Sequence, residues 1–168
     1  GAAGIVTYDG KQYHGHRAPG HVGDIFSSEA VIKRLPGDLA IGHNRYSTTG
    51  ETAQRNIQPL FAEFESGGFA LSHNGNLTNA QILHRDLVKR GCLFQSTTDT
   101  EVIIHLIAIS DQGTVVDRLI DTLKRVVGAY SLVAMTHDKM IGVRDPMGVR
   151  PLVLGFLDGA HVLASESC

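Results

Sequence analysis

The sequence predicts an α+β domain built on antiparallel sheets, and three observations lead there. Short alternating apolar runs broken by Gly-containing turns occupy most of residues 1–77. Three segments with helical apolar spacing occupy residues 78–127, and four further strand-like runs close the chain. Strands, then helices, then strands, with tight reversals between neighbouring strands, give a layered antiparallel fold. A chain of 168 residues fits one domain, and neither a repeat nor a low-complexity stretch divides it.

The run AGIVTYDGKQYHGHR alternates on both sides of Asp9-Gly10, which predicts a hairpin. A short helix is expected from Ser28 to Leu35, stopped by Pro36-Gly37. DLAIGHNRYST reads as a strand running into a polar loop that ends at Pro59, and PLFAEFESGGFALSHN as a second hairpin reversing at Ser66-Gly67-Gly68. Thr78-Asn79-Ala80-Gln81 has capping-box spacing, with Ala80, Leu83 and Leu87 on one helical face before Gly91. Thr98-Asp99-Thr100-Glu101 repeats that spacing ahead of VIIHLIAIS, a helix apolar almost all round and so expected to lie between a sheet and a neighbouring helix. A third helix begins near Thr114, with Val116, Leu119, Ile120, Leu123 and Val127 spaced for packing. AYSLVAMT, MIGVRD, PLVLGF and HVLASE follow as strands, separated by His137-Asp138-Lys139, Asp145-Pro146-Met147-Gly148 and Asp158-Gly159.

Composition narrows the function classes. Fifteen basic and 17 acidic residues give a formal net charge of -2, so no basic excess points to nucleic acid. The longest apolar stretch, VIIHLIAI, is interrupted by His105 and is too short to span a bilayer, and no basic n-region of a signal peptide opens the chain. Two cysteines, Cys92 and Cys168, have no framework spacing, which favours a reducing, cytoplasmic compartment. The Asn76-Leu77-Thr78 sequon carries little weight without other secretory features. His14, His16 and His21 have neither a cysteine partner nor H-x-x-x-H spacing, so strand histidines are expected and a metal site is not.

Three polar clusters at element ends could carry chemistry: HNRYSTTG at 43–50, HNGN at 73–76 and STTDTE at 96–101. Asp99 falls in the first turn of an apolar helix, where it serves either the helix dipole or a ligand. Arg45 ends an apolar strand and is either a surface cation or a guanidinium that grips a carboxylate through two parallel hydrogen bonds. Facing one pocket, the two would take the α-ammonium and α-carboxylate of a free amino acid. Asn74-Gly75 is a common turn dipeptide, yet the Asn amide and the Gly N–H would also suit a developing oxyanion. No G-x-S-x-G elbow is present, and Cys92 reads as an apolar thiol next to Leu93-Phe94.

Taken in order, GHNRYSTTG, IQPL, ALSHNGNLTNA, STTDTEVIIHLIA, GAYSLV, RDPMGVRPLVLG and ASESC closely resemble the N-terminal glutaminase domain of the amidophosphoribosyltransferases. These are class II glutamine amidotransferases that begin purine synthesis. The resemblance runs from about Ala3 to Cys168. It implies a four-layer αββα sandwich, the N-terminal-nucleophile hydrolase fold, here lacking its first strand. It also implies that Arg45 holds the glutamine carboxylate with Tyr46 and Thr48 beside it, that Asp99 holds the α-ammonium, and that Asn74 and Gly75 form the oxyanion hole.

One departure from the family pattern stands out. The family's nucleophile is a cysteine at the mature N-terminus, and Gly1, Cys92 and Cys168 do not occupy its motif position. Residues 1–168 are therefore expected to be a single, partial glutaminase domain that is inactive alone. The nucleophile segment and a phosphoribosyltransferase domain, which binds phosphoribosyl pyrophosphate with magnesium, are expected to lie outside it. Some family members carry an iron–sulfur cluster, and an unpaired sheet edge makes a homo-oligomer the expectation. Two other readings stand beside this one: another class II amidotransferase, and a non-catalytic module that binds glutamine through Arg45 and Asp99.

Overall fold

The computed structural model describes residues 1–46 and 54–167. Asp9 accepts hydrogen bonds from the Lys11 and Gln12 N–H groups at 2.8 and 2.9 Å and so closes the reversal between β1 (Ala2–Tyr8) and β2 (Tyr13–Pro19). β3 (Leu39–Arg45) pairs with the other edge of β1, giving the order β2-β1-β3. Between β2 and β3 the expected 28–35 helix shrinks to one turn, α2 (Glu29–Ile32), preceded by another, α1 (Val22–Ile25). Neither buries a residue, so this outer helical layer is thin.

The second sheet has the order β4-β5-β6-β7, with β4 (Leu60–Phe64), β5 (Gly67–Leu77), β6 (Gly128–Met135) and β7 (Met140–Arg144), all antiparallel. Period-two alternation gives β5 and β6 two buried faces. Phe69, Leu71, Leu77, Tyr130 and Leu132 point at the helices α3 (Ala80–Lys89), α4 (Asp99–Ala108) and α5 (Val115–Leu123). Ala70 and Met135 point the other way and pack on Val6 and Ile41 of the first sheet. Ile103 and Ile107 of α4 are fully buried, each contributing about 1.5–3 kcal/mol of apolar transfer. The layers therefore run thin helices, sheet, sheet, helices.

Three expectations change. The strand expected to end at Asn74 runs on through Gly75 to Leu77, held by pairing with β6 as far as Leu77↔Gly128. Neither anticipated capping box forms. The Asn79 side chain turns to the Arg125 carbonyl and the Val127 N–H, while Glu101 reaches back to residues 95 and 96. On α5 Leu119 is buried but Ile120 faces solvent, and the helix stops at Leu123, so Val127 lies beyond it and is exposed while Val126 turns inward.

β8 (Val153–Leu157) and β9 (Ala160–Ala164) form a separate hairpin. Its Leu163 lies over Gly142 of β7, close enough that a Cβ on Gly142 would stand 3.0 Å from it. Gly142 pairs with Val133, which shares the Met135 face of β6, so the hairpin and the first sheet cover the same side of the second sheet. A cleft separates them.

Candidate functional site

That cleft, about 1290 Å³, runs along β3 from Ala40 to Arg45 and is closed on its far side by β9 and on its floor by β5 and β6. Parity fills it with polar groups. Ile41, His43 and Arg45 share the face of β3 that looks toward the second sheet, as the packing of Ile41 on Ala70 shows. On β5, Ala70, Ser72 and Asn74 share the face that looks back, and the Ser72 hydroxyl donates to the Gly42 carbonyl at 3.3 Å. Arg45 and Asn74 thus open into the same space. Among the described residues no carboxylate pairs with the Arg45 guanidinium.

The backbone of β5 supplies the next group. Both the N–H and the C=O of Tyr130 are engaged by Asp145, on the β7 side of β6. The Gly75↔Tyr130 pair is therefore a non-hydrogen-bonded one, and the backbone of residues 73, 75 and 77 points away from β6. β4 does not reach that far, since its last pair is Leu60↔Leu71. The His73 N–H is taken by Gln58 Oε1 at 2.6 Å and the Leu77 N–H by Asp99 Oδ2 at 2.9 Å. Gly75, between them, keeps an N–H without a partner among the described residues, on the cleft wall. Glycine is required here because a Cβ would stand 2.1 Å from the Ala129 carbonyl oxygen, at a backbone φ of 150°. The reason is strand-to-strand approach, not the ligand approach that the dipeptide alone suggests.

Asp99 reaches the site from the first turn of α4. Besides the Leu77 N–H it meets His73 Nδ1, 3.4 Å from Oδ1. Its partial burial pushes its carboxyl up, but the His73 bond and charge and the backbone N–H groups of Leu77 and Asp99 outweigh that and hold it below the ordinary carboxylate value. A carboxylate kept ionised on the same cleft as a guanidinium that pairs with no carboxylate among the described residues suits a zwitterionic ligand. Thr98 precedes the helix without a side-chain cap bond, so the dipole and the β5 end, not a capping box, hold Asp99.

Of the residues expected at the site, Arg45, Asn74, Gly75 and Asp99 come together on the cleft. Tyr46 also lines it and is 79% exposed. Thr48 lies outside the described residues. Cys92 packs, partly buried, against the helix-side core and does not line the cleft. Three residues passed over in the sequence matter to the site: His43, whose Nε2 donates to the His73 carbonyl at 3.1 Å, Gln58, and His73. His73 carried a signal, a polar side chain at an inward position of an apolar alternation. Among the described residues no three His, Cys, Asp or Glu side chains cluster as a metal site would require, and no helix is long and apolar enough to cross a membrane.

Residues 43–168 match the glutamine amidotransferase domain family. An amidophosphoribosyltransferase of Rhizobium etli is 53% identical over 167 residues, covering 99% of this chain and 34% of the relative. Amidophosphoribosyltransferase 2, chloroplastic, of Arabidopsis thaliana is 46% identical, covering 99% and 30%. Among solved structures, the allosteric regulatory enzyme of purine biosynthesis superposes with a TM-score of 0.93 at 40% identity, over 98% of this chain and 35% of that one. The glutamine phosphoribosylpyrophosphate amidotransferase from B. subtilis, complexed with ADP and GMP, gives 0.90 at 39% identity, over 98% and 35%. The chain spans about a third of the length of these relatives.

Proposed function

The chain belongs to the glutamine amidotransferase domain family, and from that premise we propose that it is the glutamine-hydrolysing part of an amidophosphoribosyltransferase. The observation that carries this is the Gly75 N–H, without a partner among the described residues on a cleft wall between two bonded neighbours, with Arg45 and Asp99 on the same cleft. Arg45 takes the α-carboxylate of glutamine in a bidentate grip and Asp99 the α-ammonium. Tyr46 and Thr48 flank the carboxylate end. The side-chain amide then lies at Asn74 and Gly75, whose N–H groups stabilise the oxyanion that forms when a thiolate adds to the amide carbon. Collapse expels ammonia and leaves a thioester, and water releases glutamate.

The attacking thiol comes from outside the described residues. Cys92 is off the cleft, and the family nucleophile is an N-terminal cysteine whose own amine is the base. Ammonia passes to phosphoribosyl pyrophosphate in a transferase domain of the parent polypeptide, forming phosphoribosylamine for purine biosynthesis. We place magnesium in that transferase domain and an iron–sulfur cluster, where the parent has one, in another segment of the parent. We assign the parent to the cytoplasm and to a homo-oligomer, which light scattering on the full-length protein tests.

The decisive experiment is a glutaminase assay on two polypeptides. The 168 residues alone should show no turnover above a buffer blank, and the same residues joined to the parent's N-terminal cysteine segment should release ammonia. Turnover by the 168 residues alone, or its absence from the longer polypeptide, overturns the reading.

A further inference from the structure

Resting on Asp99 as the seat of the substrate ammonium, we propose that His73 is the positioning residue that aims the Asp99 carboxylate and so sets selectivity for substrates bearing an α-ammonium group. The ring sits on the helix side of β5 with its side chain 1% exposed. Its backbone cannot drift. Gln58 binds it twice, Oε1 to the His73 N–H at 2.6 Å and Nε2 to its carbonyl at 3.4 Å, and His43 adds a third bond to that carbonyl. On the other side the strand pairs with Leu132 of β6. From this anchored strand, Nδ1 lies 3.4 Å from Asp99 Oδ1 and 3.2 Å from the Thr100 hydroxyl.

A carboxylate offers only acceptors, so the nitrogen facing Asp99 carries the proton. Nε2 is the one ring atom without a partner among the described residues, and it is fully buried. The polar contacts of the ring are thus concentrated at Nδ1, which the Thr100 hydroxyl and Asp99 Oδ1 share at 3.2 and 3.4 Å. With the Leu77 N–H hydrogen-bonded to Oδ2 and His73 Nδ1 standing 3.4 Å from Oδ1, both carboxylate oxygens face a group of β5, while the side chain remains 23% exposed. Packing does not call for this residue. The neighbouring inward positions of β5 are Phe69, Leu71 and Leu77, and an apolar side chain at 73 would avoid burying a nitrogen that has no partner.

The two ring nitrogens allow a test that separates positioning from structure. Asparagine places an amide nitrogen near the place of Nδ1, and glutamine near that of Nε2. In the full-length enzyme, His73→Asn should keep the KM for glutamine within twofold, and His73→Gln should raise it about tenfold with kcat changed less than threefold. Glutaramate, which has the same amide and carboxylate but no α-ammonium, should inhibit both variants and the parent with the same constant to within twofold. Asp99→Asn is the control, raising the KM for glutamine and leaving glutaramate inhibition unchanged. If Asp99→Asn does not discriminate between the two compounds, the Asp99 reading falls and this proposal with it. If Asp99→Asn discriminates but the two His73 variants behave alike, or weaken glutamine and glutaramate equally, His73 is only structural.

Discussion

Gly75 of β5 and Tyr130 of β6 stand directly opposite each other and exchange no hydrogen bond, because both backbone groups of Tyr130 are held by Asp145. That relationship turns the Gly75 N–H to the cleft, and it also makes the position intolerant of a side chain. Register in the sheet decides where a catalytic donor points.

Gly75→Ala should therefore damage both stability and activity. The added Cβ would meet the Ala129 carbonyl oxygen at 2.1 Å and Tyr130 Cα at 2.6 Å, backbone atoms that cannot step aside cheaply. Overpacking of this kind costs about 1–3 kcal/mol. Displacing one oxyanion donor costs roughly 10²–10³-fold in kcat. Urea denaturation and glutaminase kinetics on the full-length enzyme check both. Activity within threefold of the parent would remove Gly75 from the oxyanion hole.

Arg45→Lys should raise the KM for glutamine far more than it lowers kcat. Lysine keeps the charge but loses the planar fork that matches a carboxylate. A lost charged hydrogen bond is worth about 1.5–3 kcal/mol, or roughly 10- to 150-fold in affinity. Stability should barely move, since the guanidinium has no carboxylate partner among the described residues. Equal losses in kcat and in kcat/KM would show instead that Arg45 acts on the transition state.

The parts of the fold legible in the sequence were those set by neighbours along the chain. Asp9-Gly10 announced its hairpin, and PLFAEFESGGFALSHN announced the second one, β4 with β5, while the burial of both faces of β5 was not announced. Site residues were legible as types, and Arg45, Asn74, Gly75 and Asp99 do meet. The supporting contacts were not, because they join distant segments: Gln58 to His73 across 15 residues, and Asp99 to Leu77 across 22. Local spacing also misled. Glu101 has capping-box spacing from Thr98, yet its carboxylate accepts from Gln95 N–H at 2.9 Å and from Ser96 N–H and hydroxyl at 2.6 Å, three donors that outbid one.

The helix starts make that contrast measurable. Thr114 caps α5, its hydroxyl oxygen accepting from the Asp117 N–H at 3.1 Å, whereas Thr98 makes no cap bond to α4. Thr114→Ala should cost about 1 kcal/mol. Thr98→Ala should cost less than half of that, since only an exchange of hydroxyls with Ser96 is lost. Equal destabilisation in parallel urea titrations would mean that the α4 cap forms in solution.

His43 should give the fold an acid-sensitive limb. Its burial pushes the ring's pKa down, the bond to the His73 carbonyl pushes it back up in part, and the nearby His73 and Arg45 charges lower it further. The net shift is below the unfolded value of 6.5. Above 6.5 the ring is neutral in both states and its contribution is fully present. As pH falls from 6.5 through the folded value, the unfolded chain binds the proton first, and stability is lost at up to about 1.4 kcal/mol per pH unit. His43→Gln keeps an Nε2 donor for the His73 carbonyl but cannot titrate, so the difference in unfolding free energy between parent and variant should shift by that slope below pH 6.5 and stay constant above it. A difference independent of pH from 7.5 down to 5 would show that His43 carries the same proton folded and unfolded.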